Sequence, residues 1–155
     1  MKVLGIFVRI QTGAYIAGFA LVEEDRLLRD DRFPAPSDET EPGQLAELYR
    51  HTRDAIAQLG VEAVALKESE IQGGSRNATL AHRAEGAVLA AAGEPHDLPV
   101  TTWLGARMWR PAGFTQRPSN AEVIDALCGD LDQQPASPET KQAAAAARVA
   151  ILTQA

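Results

Sequence analysis

Residues 3–9 read Val3-Leu4-Gly5-Ile6-Phe7-Val8-Arg9, and residues 14–23 read Ala14-Tyr15-Ile16-Ala17-Gly18-Phe19-Ala20-Leu21-Val22-Glu23. The first run is rich in β-branched and apolar residues and too short for a helix, so it reads as a strand. Gln11-Thr12-Gly13 supplies a turn, the second run is a second strand, and Glu24-Asp25 is a polar tip before a third strand over 26–33. Three strands joined by tight turns make an antiparallel meander. Residues 34–42, with proline, acidic residues and Ser, form a surface loop.

After Gln44 the period changes. Leu45, Leu48, Thr52, Ala55, Ile56 and Leu59 recur at helical spacing, and Gly60 stops the helix. A short apolar strand over 61–68 follows, then a Gly73-Gly74-Ser75 loop. A second helix over 77–92 has an Asn77 cap and places Leu80, Ala84, Ala87, Val88 and Ala91 on one face. Residues 98–104 make a fifth strand. The loop over 105–118 carries Arg107, Trp109, Arg110, Phe114 and Arg117. Ser119 with Glu122 is a capping box for a helix ending near Leu131. Ser137-Pro138 opens a final Ala-rich helix through Gln154, whose small residues allow another backbone to approach closely. The order βββ-α-β-α-β-α-α makes the last two strands crossover products. It predicts an α/β fold with a mixed five-stranded sheet and helices on both faces.

Composition narrows the function. The 155 residues suit one domain spanning 1–155, and 45% hydrophobic with 23% charged residues suits a packed core. The net charge of −6 argues against a broad basic nucleic-acid surface, while leaving room for a local patch. Cys128 is the only cysteine, which excludes an intrachain disulfide and a cysteine-built zinc site. No apolar run reaches the ~20 residues of a membrane span, and the N-terminus reads as a strand and not as a signal peptide. A cytoplasmic protein without cofactor or metal is the expectation.

The order of elements resembles the RNase H-like arrangement, and in detail the RuvC-type Holliday-junction resolvases. In that family the first strand ends in Gly-Ile-Asp-Pro-Gly; Gly5-Ile6-Phe7-Val8-Arg9, then Thr12-Gly13 and Ala17-Gly18-Phe19-Ala20, are similar. The family's fourth strand carries Ile-Glu, where this chain has Val64-Ala65-Leu66-Lys67. Its Ala-x-x-Leu-x-x-Ala-x-Gly helix is resembled by Asn77 to Gly86, and its last helix, with Asp-Ala-x-Asp-Ala, corresponds to Ala143 to Ala147. The resemblance covers nearly the whole chain. It implies a chemistry in which carboxylates hold about two divalent ions roughly 4 Å apart. On this matching Phe7, Lys67, Ala143 and Ala146 stand where carboxylates would, so the expectation is a catalytically degenerate, non-enzymatic domain.

Such a domain would bind a protein partner, or branched or single-stranded nucleic acid, through Lys67, Arg76, Arg107, Trp109, Arg110 and Arg117. These combine positive charge with aromatic faces. Lys67 could reach a phosphate or an acidic partner, with Glu85 as a possible ion-pair partner in the chain. Two other readings compete. One is a metal-dependent nuclease with ligands relocated to Glu70, Glu85 and Glu139; the other is a structural oligomer without ligand. The resemblance and the Ala-rich face of the helix over 77–92 also predict a homodimer. His51, His82 and His96 share no metal-ligand spacing.

Overall fold

The computed structural model describes residues 1–36, 38–70 and 75–154. Its elements are β1 (Lys2–Gln11), β2 (Ala14–Glu23), β3 (Arg26–Pro34), α1 (Glu41–Gln58), β4 (Ala63–Lys67), α2 (Arg76–Ala92), β5 (Val100–Trp103), α3 (Gly105–Met108), α4 (Asn120–Cys128) and α5 (Pro138–Gln154). The strands form one mixed sheet in the order β3-β2-β1-β4-β5. β1 pairs antiparallel with β2 and β2 with β3, whereas β4 lies parallel to both β1 and β5. The two-residue turn between β1 and β2 has positive φ at both Thr12 (49°) and Gly13 (77°). That geometry matches the right-handed twist of the flanking strands.

The strand period of two sorts β1 between two cores. Leu4, Ile6 and Val8 face Leu48, Leu80, Ala84 and Val88 on one side of the sheet. Val3 faces the other side, with Phe7 partly buried there, against a core built from α4 and α5. Full burial of each large side chain contributes about 1.5–3 kcal/mol, so both layers hold the sheet. α5 lies unusually close to the strands. A Cβ at Gly5 would overlap the Ala143 carbonyl, and one at Gly18 would overlap the Glu139 backbone. Gly5 and Gly18 are therefore where the Ala-rich helix rests on the sheet.

Several boundaries differ from the sequence expectation for identifiable reasons. α1 starts at Glu41, ahead of the apolar repeat, because the Thr40 hydroxyl accepts the Gly43 N–H at 3.3 Å and Pro42 suits a first turn. α2 is capped by the Ser75 hydroxyl, which accepts the Ala78 N–H at 3.1 Å, and not by Asn77. Residues Gly73 and Gly74 of the expected glycine loop lie outside the described residues. The loop over 105–118 contains the short α3, whose Met108 is fully buried. The caps at Ser119 and Ser137 form as expected, accepting the N–H of Glu122 at 3.3 Å and of Thr140 at 3.1 Å.

Of the α2 residues expected at a dimer face, Leu80, Ala84 and Ala91 are buried within the chain, the first two in the core against the sheet, whereas Ala87 is half-buried, and α1 packs along α2. Among the described residues no helix is long and apolar enough to cross a membrane.

Cys128 lies fully buried at the end of α4, where burial pushes its thiol pKa up to about 11. Because the thiolate is the reactive form, the native thiol is expected to resist a disulfide-exchange reagent at pH 8 and to react only on unfolding. Rapid labelling of the native protein would contradict this.

Candidate functional site

The parallel pairing of β1 with β4 sets Phe7 directly beside Lys67. The two side chains emerge on the α5 side of the sheet, where these central strands end. The Lys67 ammonium lies 5.3 Å from the centroid of the Phe7 ring and 3.8 Å from the Glu70 Oε1. Lys67 is only 5% exposed, and this burial lowers its pKa, with Glu70 acting in the opposite direction. Lys67 is thus nearly buried, in the wall of the cleft and not on an open surface. Nor is Glu85 its ion-pair partner: the pairing is with Glu70, three residues along the chain.

Glu70 is fixed from its other side. Its Oε2 accepts from the Asn120 amide at the start of α4, and its Oε1 occupies the space that a Cβ of Gly105 would fill. Together with Phe7, Arg9, Ile10, Ser69 and Gln142, the Lys67–Glu70 pair lines an open cleft of about 380 Å³. The Gln142 Oε1 in this wall is buried and has no hydrogen-bond partner among the described residues. Two residues beyond Phe7, Arg9 leans toward α5, its Nε 2.8 Å from a carboxylate oxygen of Glu139. Arg32 on β3 lies 3.5 Å from the other oxygen.

The three carboxylates considered for a relocated metal site do not converge. Glu139 is 2% exposed and held by the two arginines. Glu85 belongs to α2 on the opposite side of the sheet, where it accepts the Ser69 N–H at 3.2 Å and burial raises its pKa. Of the three, Glu70 reaches the cleft. No group of three His, Cys, Asp or Glu side chains among the described residues could hold a metal ion. Ala143 and Ala146 are fully buried in the seam between α5 and the sheet, where they serve packing. His51 is engaged elsewhere, bonded to Asp31 at 2.9 Å and stacked on Phe33.

Arg76, Arg107, Arg110 and Arg117 are all exposed, on segments that follow β4 or β5 and so leave the same end of the sheet as the cleft. Trp109 and Phe114 are half-buried against the α4–α5 core, and the Arg110 guanidinium lies 5.0 Å from the Trp109 ring. The aromatic part of this loop is thus an anchor more than a free stacking platform. Sequence reasoning missed Arg9, Asn120 and Gln142. Arg9 shares a strand face with Phe7 by the period of two, so it was within reach; Asn120 and Gln142 enter only through the way α4 and α5 cross the strand ends.

No family model matches the chain. A curated relative, the crossover junction endodeoxyribonuclease RuvC of Moorella thermoacetica, is 30% identical over 154 residues, covering 95% of this chain and 89% of its own. The chain belongs to the RuvC family. The solved RuvC structures agree in fold. Thermus thermophilus RuvC superposes with a TM-score of 0.80 at 21% identity over 99% of this chain and 95% of that one. T. thermophilus RuvC in complex with a Holliday junction substrate gives 0.78 at 22%, over 99% and 94%. The mixed five-stranded RNase H-like arrangement expected from the sequence is therefore correct.

RuvC membership overturns the other expectation, that this is a non-enzymatic binding module. Phe7 and Lys67 suggested it, but two side chains weigh less than a relationship to an endonuclease along almost the whole chain. The cleft does not, however, fit the pair of hard cations that the RuvC fold implies. Such ions require several oxygen donors, mostly carboxylates. Among the described residues one carboxylate lines the cleft, and its counter-ion is already the Lys67 ammonium. The orphan Gln142 Oε1 adds one neutral donor, which does not complete a set.

Proposed function

We propose that the chain is an endonuclease acting on branched DNA, with its chemistry in the cleft where β1 and β4 end. The observation that carries this reading is the 30% identity to an endodeoxyribonuclease over 95% of the chain. The full-length likeness in fold to a RuvC bound to a Holliday junction supports the choice of substrate. The chain's net charge of −6 makes most of its surface repel phosphate. The exposed Arg76, Arg107, Arg110 and Arg117 lie on segments that leave the cleft end of the sheet, and in this reading they steer a DNA backbone toward the cleft.

Hydrolysis of a phosphodiester requires a water made nucleophilic and a means of neutralising charge on phosphorus. Among the described residues Glu70 is the one carboxylate facing the cleft, and Asn120 orients it. In this reading it accepts a proton as the water oxygen bonds to phosphorus; the bridging oxygen departs with the strand end and takes a proton from solvent. Lys67 supplies positive charge beside the phosphate. Glu70→Gln should therefore reduce the rate of cutting of a synthetic four-way junction by about 100-fold or more, the range of general-base contributions. A variant that folds normally and cuts at the wild-type rate would remove Glu70 from the mechanism. Absence of cutting by the wild type would overturn the reading itself.

A further inference from the structure

We propose that Glu85 is a positioning residue for the reaction in the cleft: by holding the Ser69 N–H from the far side of the sheet, it sets where the Glu70 carboxylate stands. The inference rests on the nuclease reading above, in which Glu70 receives the proton.

β4 ends at Lys67, and the next three residues carry the chain from the sheet to the cleft. Glu68 is tied to β5, its N–H donating to the Trp103 carbonyl at 2.9 Å. The Ser69 N–H donates to the Glu85 Oε1 at 3.2 Å. Glu70 follows directly, and its carboxylate meets the Lys67 ammonium and the Asn120 amide. Those two partners fix the end of the Glu70 side chain, whereas the Ser69 bond fixes the backbone from which it springs. Glu85 is itself held by α2, whose Ala84 and Val88 are buried against the sheet. A helix on one face thus anchors the main chain one residue before the carboxylate that works on the other.

The surroundings of Glu85 say why an acid stands there. It is 6% exposed, and Leu66 and Leu89 line the same hollow. Burial raises its pKa, which the Ser69 N–H, His82 and Lys67 partly offset and Glu68 augments. Those charged neighbours compensate it weakly: His82 stands 3.9 Å away on an exposed side chain, and Lys67 faces Glu70 at 3.8 Å. An apolar side chain of similar volume would remove the desolvation without leaving a buried charge behind. Ser69 is only half-buried, so water can take its N–H when the acceptor is lost. What Glu85 adds over such a side chain is a fixed place for Ser69, and with it for Glu70.

The test compares cutting of a four-way junction by the wild type, Glu85→Met and Glu85→Gln, together with urea unfolding of each. Met keeps the volume and loses the acceptor; Gln keeps an acceptor oxygen. Glu85→Met is expected to be as stable as the wild type or more so. It should nevertheless lose about tenfold in kcat with KM changed by no more than about twofold, because a displaced reacting group is felt in the transition state. Glu85→Gln should return to within about threefold of the wild-type kcat. A structural role alone would lower stability and activity together, and that result would overturn the proposal. So would a folded Met variant with wild-type kcat, a change confined to KM, or a Gln variant as slow as the Met one. The wild type alone supplies a second measurement, which stands even if the Met variant does not fold. Its Ser69 amide proton resonance should shift as Glu85 ionises, at a pH above the ordinary glutamate value, and a Ser69 amide blind to that ionisation would overturn the proposal. All of these results leave the nuclease reading intact, whereas a wild type that cuts no junction would overturn both.

Discussion

Removing both arginines that face Glu139, as Arg9→Ala with Arg32→Ala, is expected to cost about 3–5 kcal/mol of folding stability. The Glu139 carboxylate sits in the first turn of α5 at 2% exposure, with the Arg9 guanidinium at 2.8 Å and the Arg32 guanidinium at 3.5 Å. It ties the last helix to β1 and β3, elements more than a hundred residues away in sequence. Without the arginines, a buried negative charge is left with no partner, and that is the expensive state; the pair itself contributes far less than its removal costs. Urea unfolding at pH 7 measures the deficit. A deficit below about 1 kcal/mol would mean that Glu139 reaches water through some opening of α5.

The second large effect is expected at Gly5. A methyl group there meets the carbonyl of Ala143, which belongs to a helix backbone and cannot rotate away as a side chain would. α5 would have to lift from the sheet along the seam that buries Ala143, Ala146 and Ala147. Overpacking of this kind costs about 1–3 kcal/mol when side chains can adjust. Against an unyielding carbonyl we expect about 3 kcal/mol or more, a large share of the ~5–15 kcal/mol that holds a domain together. Gly86→Ala provides the contrast. That glycine lies in α2 with nothing within 4 Å of the added methyl, so the helix should gain about 0.5–1 kcal/mol. Thermal unfolding of the two variants should therefore move in opposite directions. A Gly5→Ala protein as stable as the wild type would show that α5 does not rest on the sheet as described.

These sites also show what could be read from the chain and what could not. The apolar run from Val3 to Arg9 was enough to predict a strand, and the helices before the last two strands were enough to predict a parallel part of the sheet. The Ala run announced a close approach, but not that Gly5 and Gly18 would receive it, because the crossing of a helix over strands is a tertiary fact. Lys67 was legible as a strand-end residue beside Phe7, yet its surroundings were misjudged. Glu85 shares a helix with residues facing the other layer, and Glu70 reaches Lys67 only because Gly105 and Asn120 leave room for its carboxylate. The Arg–aromatic loop was legible as a composition; that Trp109 and Phe114 turn inward depended on an α4–α5 core with space for them. The functional error came from weighing the residues at Phe7 and Lys67 as if they decided the activity of the whole chain.

The central claim is that this chain is a nuclease for branched DNA, and the direct measurement is strand cleavage followed side by side on a four-way junction and on a linear duplex of the same sequence. The account predicts cleavage products from the junction, little or none from the duplex, and loss of the junction products with Glu70→Gln. An intact junction after prolonged incubation with folded wild-type protein, or equal cutting of both substrates, would contradict it.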